Sequence, residues 1–209
     1  MEPLGVYFKS VLCTAWFRLR RVQRTSRTHC TGRIPKLYTN GNVSIGRQLT
    51  LRGILLPSEL GAADGGSLLI GDRVHINQGA VIVASWDIEI GDDTLIGEFA
   101  AIYDTNHHPV DEVHPIKLAP VIIGKNVWIG RNVTVLPGST IGDHTVVAAG
   151  AVVKGELPPR VLAAGNPARP VREINSSDGW RRSNWDNTHP VSRVPRRLES
   201  EQLPTADSR

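Results

Sequence analysis

Aliphatic residues recur every six positions through the second half of the chain: Ile123, Ile129, Val135, Ile141, Val147 and Val153. Gly124, Gly130, Gly142 and Ala148 follow four of them. Val127, Val133, Ser139, Thr145 and Ala151 each stand four places after an aliphatic. A helix would bury positions three and four apart, and a flat strand every second one. A period of six, held from residue 121 to 153, fits neither. It predicts a solenoid of short strands, each burying one side chain and turning before the next. Three such strands close a triangular coil, and coils joined by strand pairing stack about 4.8 Å apart.

The same unit appears upstream. Ile70, Ile76 and Ile82 form one run, and Ile90, Ile96 and Ile102 another, displaced by two residues at positions 85–89. Residues 43–53 read as a degenerate first coil, with Ile45-Gly46 its clearest step. Residues 57–67 read as an excursion. Residues 104–120 break the pattern and hold three of the seven histidines. Pro158, Pro159, Pro167 and Pro170 then lead the chain off the top. Residues 4–28 mix Leu4, Val6, Phe8, Val11, Leu12, Trp16, Phe17 and Leu19 with Lys9, Arg18, Arg20, Arg21 and Arg24, which predicts a basic amphipathic helix. Such a helix either caps the open end of a solenoid or lies on an anionic membrane surface. Residues 175–209 are polar and aperiodic and read as a largely disordered tail, with Trp180 and Trp185 as transient anchors. The division is therefore a cap at 1–40, a β-helical domain at 41–174 and a tail at 175–209.

The formal charge is +4 and the pI near 9.4, with the basic excess at the two ends. The repeat region is not basic and carries no nucleic-acid-binding motif. Cys13 and Cys30 read as free thiols of a reducing compartment. Residues 11–17 are too short to span a bilayer and lack the flanks of a signal peptide, so the chain reads as cytoplasmic.

Chemistry concentrates in the loop Tyr103-Asp104-Thr105-Asn106-His107-His108-Pro109-Val110-Asp111. Imidazole is a suitable general base at neutral pH, and a rigid solenoid would hold the loop root in place. Asp104 and Asp111 are candidates to orient a ring. Trp86, on the displaced corner, is a candidate wall for an acceptor.

Four segments carry a family resemblance: residues 90–97 (Ile-Gly-Asp-Asp-Thr-Leu-Ile-Gly), Asn106-His107-His108-Pro109, Val127-Trp128-Ile129-Gly130 and Ala164-Gly165-Asn166-Pro167-Ala168-Arg169. They resemble the hexapeptide-repeat acyltransferases of left-handed β-helix fold, close to the maltose and galactoside O-acetyltransferases. The resemblance covers residues 41–174. It implies a mainly β, left-handed parallel β-helix and O-acylation of a sugar or glycoconjugate. The donor would be acetyl-CoA or another acyl-CoA, with no metal, in a homotrimer. A base before Pro and an aliphatic favours His108, whereas an alignment anchored on Ile102 favours His107. The resemblance further implies Asn77 at the acceptor, beside which Asp104 and Trp86 stand as candidates from the sequence itself, and Trp128, Ala148, Ala149, Lys154 and Arg169 along the CoA. Two other readings stand beside it. One is a zinc hydrolase of carbonic-anhydrase type using His75, His107 or His108, and His114. The other is a non-catalytic scaffold.

Overall fold

The computed structural model describes residues 4–26 and 28–182. Helix α1 (Leu4–Leu19) leads into three sheets wound as a triangular solenoid. The first sheet has eight strands and the other two have six each. Every pairing between coils is parallel, and only the last strand of the first sheet, Ala168–Glu173, turns back antiparallel. The chain visits the first, second and third sheets in turn, so a first corner joins sheets one and two. A second corner joins two and three, and a third leads up to the next coil.

The six-residue period is the reason for this winding. On the first sheet Leu51, Ile76, Ile96, Ile129, Val147 and Ala163 are in register. Ile45, Ile70, Ile90, Ile123, Ile141 and Leu157 stack likewise on the third, and Leu60, Ile82, Ile102, Val135 and Val153 on the second. All are buried, so each coil hides one aliphatic per side against its equivalents above and below. The fifth hexad position is buried too: Val127, Val133, Ser139 and Thr145 are wholly inaccessible. The hydroxyl there bridges coils, as where Thr145 Oγ1 donates to the Pro158 carbonyl at 2.7 Å.

The third corner explains the Ile-Gly-Asp triplets. A Cβ on Gly91 would stand 2.6 Å from the Gly124 carbonyl carbon, so the stacked backbones leave no room for a side chain. The aspartate after the glycine accepts a backbone N–H from the coil below. Asp92 Oδ1 takes that of Asp72 at 2.8 Å, and Asp72 Oδ1 takes that of Arg47 at 2.7 Å. Arg47, through that N–H and then its guanidinium, holds the Asp72 carboxyl below the usual carboxylate range.

At the lower end α1 lies against the strand His29–Gly32. Ser10 Oγ accepts the Cys30 N–H at 3.0 Å, and Thr14 Oγ1 accepts that of Thr28 at 3.0 Å. Those N–H groups belong to the open edge of the first sheet, which would otherwise be a template for pairing with another chain. Cys13, Phe17 and Cys30 are buried beneath the helix, with both cysteines free thiols. At the upper end part of the expected tail is held. The Asn126 side chain donates to the Trp180 carbonyl at 2.8 Å and accepts the Arg182 N–H at 2.9 Å, while Arg160 Nε donates to the Ser176 carbonyl at 3.0 Å. Residues 175–182 therefore run back along the third corner. The rest of the expected tail, with Trp185, lies outside the described residues.

Candidate active site

Two surfaces carry the candidate residues, and the winding puts them on different parts of the prism. The first is a groove of about 690 Å³ on the outer face of the first sheet and along the first corner. The position before each buried aliphatic points outward here, so His75, Leu95, Trp128, Val146 and Leu162 form one vertical row. Asn77, Gly97, Glu98, Gly130, Arg131, Ala148 and Ala149 make its edge at the first corner. Thus Asn77, Trp128, Ala148 and Ala149 share one groove. Trp128 is 48% exposed and forms its central apolar wall. The small side chains of Ala148 and Ala149, and Gly130 beside them, leave the backbone open to close approach. Asn77 Oδ1 accepts the Gln78 N–H at 3.0 Å, which fixes the amide at the rim.

The sequence reading passed over the aliphatic members of this row. Their signal was present: three successive coils put an apolar residue (Leu95, Trp128, Val146) on the outward side of the first sheet, where a solvated face would carry polar ones. His75 at the foot of the row is 7% exposed, and its Nδ1 has no hydrogen-bond partner among the described residues. Burial, and next the charge of Arg52, push its pKa down to about 4. It is therefore a neutral imidazole at physiological pH.

The second surface is the loop at the second corner, the prism edge opposite the first sheet. Its root is built firmly. Asp104 is completely buried, and its two carboxylate oxygens accept the N–H groups of Ser85 at 2.9 Å and Trp86 at 2.7 Å. This carboxylate thus ties the loop to the displaced corner of the coil below and is turned away from solvent. Thr105 bridges antiparallel to Leu118, and Asn106 Oδ1 accepts the Lys117 N–H at 2.7 Å. His107 and His108 follow, both exposed. His107 sits at a positive φ of 58° with its ring edge-on to Tyr103, the centroids 6.0 Å apart. Asp111 is paired with His114, not with His107 or His108. The His114 Nδ1 lies 2.7 Å from Asp111 Oδ1, because the same oxygen accepts the His114 N–H and folds the turn back on itself. Trp86 stands exposed on the second corner, and Lys154 is exposed on that corner higher up. Arg169 lies on the antiparallel strand that closes the top of the first sheet, paired with Ala164.

Within one chain the groove and the loop histidines are not brought together. His75 on the first sheet and His114 on the loop are likewise on separate surfaces. No three His, Cys, Asp or Glu side chains among the described residues are grouped to hold a metal ion.

Comparison with known proteins gives this architecture its family. The profile described as bacterial transferase hexapeptide (six repeats) matches residues 120–155. The galactoside O-acetyltransferase of Escherichia coli K12 is 39% identical over 117 residues, which are 54% of this chain and 58% of the relative. A putative lipopolysaccharide biosynthesis O-acetyl transferase, WbbJ, of the same organism is 34% identical over 151 residues, covering 66% of this chain and 76% of the relative. The chain belongs to the hexapeptide-repeat acetyltransferase family. A Vibrio cholerae hexapeptide-repeat acetyltransferase solved with acetyl coenzyme A shares the fold, with a TM-score of 0.53 at 24% identity over 82% of this chain and 86% of that one. The expected fold class therefore holds: a mainly β, left-handed parallel β-helix with an N-terminal helix. The chain spans about half to three-fifths of the length of the first curated relatives that it matches. No helix among the described residues is long and apolar enough to cross a membrane.

Proposed function

We infer that this protein is an acyl-CoA-dependent O-acyltransferase acting on a hydroxyl of a sugar or glycoconjugate, with acetyl-CoA as donor. The observation that carries the reading is the groove. It is apolar and small-walled around Trp128, Ala148 and Ala149, as a pantetheine chain requires, and polar at Asn77 and His75, as a hydroxylated acceptor requires. The curated relatives named for galactoside and lipopolysaccharide acetylation support a carbohydrate acceptor. Arg169 at the top of the first sheet and Lys154 on the upper second corner are the cations offered to the nucleotide phosphates. An acyl-CoA donor also goes with a cytoplasmic chain.

The reaction also needs a base. The groove's imidazole, His75, is buried with its pKa pushed down to about 4, a weak base at neutral pH, so we take the base from the loop. A loop on the edge opposite the groove serves a neighbouring chain's groove, so we assign a homotrimer with its sites between subunits. The exposed loop residues Val110, Val113, Ile116 and Leu118 support this assignment, since a neighbour would cover them. In each site the imidazole of His108, or of His107 beside it, removes the acceptor hydroxyl proton. The oxygen attacks the thioester carbonyl, backbone N–H groups steady the oxyanion, the C–S bond breaks, and CoA leaves as the thiol after taking up the proton.

Calorimetric titration of the full chain with CoA and acetyl-CoA tests the reading without knowledge of the acceptor. Saturable binding at about one site per chain is expected. His108→Ala should keep that binding and lower transfer about 10²- to 10⁴-fold. A folded oligomer that binds neither compound would overturn the proposal, and equal loss of transfer in His107→Ala alone would move the base to that residue.

A further inference from the structure

The helix that closes the lower end of the solenoid is inverted. Its inner side is made of Ser10, Cys13, Thr14 and Phe17, all buried, and two of these dock through hydroxyls. Its outer side carries the larger apolar residues: Tyr7 at 54% exposure, Phe8 at 64%, Val11 at 49%, Leu12 at 43%, Trp16 at 37% and Leu19 at 75%. A helix serving only as a cap would bury these and turn its hydroxyls to water. An apolar face of this kind on a protein surface marks an interaction site.

The charge around that face selects its partner. Residues 3–58 contain ten Lys and Arg and no Asp or Glu, whereas residues 59–116 above contain eleven Asp and Glu and one Arg. Lys9 and Arg18 are exposed on the helix, and Arg21 and Arg24 just after it. Arg20 lies over the Trp16 ring at 5.3 Å and donates to the Leu37 carbonyl at 3.3 Å, so the aromatic is held at the margin of the face. An apolar stripe of Phe, Leu, Val and Trp with a basic, acid-free border suits the boundary between the headgroups and acyl chains of an anionic bilayer. A nucleic acid would use the cations and leave the aliphatic side chains in water. A second copy of this chain meeting this face through its own α1 would bring a like charge against it.

We propose that α1 docks the protein on the surface of a membrane rich in anionic phospholipid, its outer face dipping among the lipids while the solenoid stands off the surface. The helix of 16 residues lies on the bilayer and does not span it. This docking is independent of the acyl-transfer reading and stands or falls separately.

The test is co-flotation of the full chain with phosphatidylcholine vesicles, with and without 30% phosphatidylglycerol. Binding to the anionic vesicles, weakened at least tenfold by 0.5 M salt and at least tenfold on pure phosphatidylcholine, is the expected result. Phe8→Ser/Leu19→Ser and Arg18→Gln/Arg21→Gln change exposed side chains only, so circular dichroism should be unaltered. Each pair should weaken binding at least tenfold. Wild-type protein that floats with neither vesicle would overturn the proposal. So would binding that survives Phe8→Ser/Leu19→Ser, since that would be charge adsorption alone. A drop in oligomer mass on Phe8→Ser/Leu19→Ser, read by sedimentation, would assign the face to subunit contact and overturn it as well.

Discussion

His75 is the one histidine in the groove, and its state follows from where the coil places it. It is 7% exposed, with one ring nitrogen unpartnered, and burial followed by Arg52 lowers its pKa to about 4. In the unfolded chain an imidazole takes up its proton below about pH 6.5. The folded chain resists protonation until about pH 4. The contribution to stability is thus present at neutral pH and lost as pH falls through that window, amounting to about 2 to 3 kcal/mol by pH 4.5. His144 is shifted downward too, by burial and then by Arg160, and adds in the same direction. His75→Leu should therefore flatten the fall of melting temperature between pH 7 and pH 4.5. A variant that loses stability as steeply as wild type would show that His75 carries none of this dependence.

At the scale of the element, the loop at the second corner depends on a residue that the sequence reading had placed at the acceptor. Asp104 neutralises two backbone N–H groups of the coil below and is fully inaccessible. Asp104→Ala leaves both part-buried donors without their acceptor, at up to about 1 to 3 kcal/mol each. Thermal unfolding should show that loss, and transfer should fall with it because the loop root slackens. Asp111→Ala breaks the pairing with His114 and releases the N–H groups of Val113 and His114, all at an exposed turn open to water, and should leave the unfolding curve unchanged. If the two variants unfold alike, Asp104 is not the anchor of this loop. Both aspartates precede or follow the histidines by a few positions, so spacing alone gave no means of telling the buried anchor from the exposed turn residue.

At the scale of the whole molecule, a triangular prism cannot fold an edge onto its opposite face. In the proposed trimer the groove on the first sheet is therefore served by the second-corner histidines of a neighbouring chain. Val110 and Val113 are 78% and 80% exposed on the loop and would be covered in the proposed trimer. Val110→Asp/Val113→Asp should shift the sedimenting species from three chains toward one and weaken CoA binding at least tenfold, with α1 and the coils intact by circular dichroism. A trimer of unchanged mass and affinity would remove the loop from the interface.

The sequence by itself determined the solenoid. A period of six fixes which side chain is buried on each strand, and the small residue after each aliphatic marks where stacked backbones touch, so the solenoid was legible from the aliphatic runs at Ile70, Ile76 and Ile82, at Ile90, Ile96 and Ile102, and from Ile123 to Val153. The family resemblance carried by its motifs also pointed to Trp128, Ala148 and Asn77. Only the tertiary structure decided which residues outside the repeat share a surface. That Asp104 points inward, that Asp111 turns to His114, and that α1 docks through hydroxyls with its apolar side outward all depend on neighbours distant in sequence. Periodicity carries no information about such contacts, since each is set by the coil above or below and not by the local pattern.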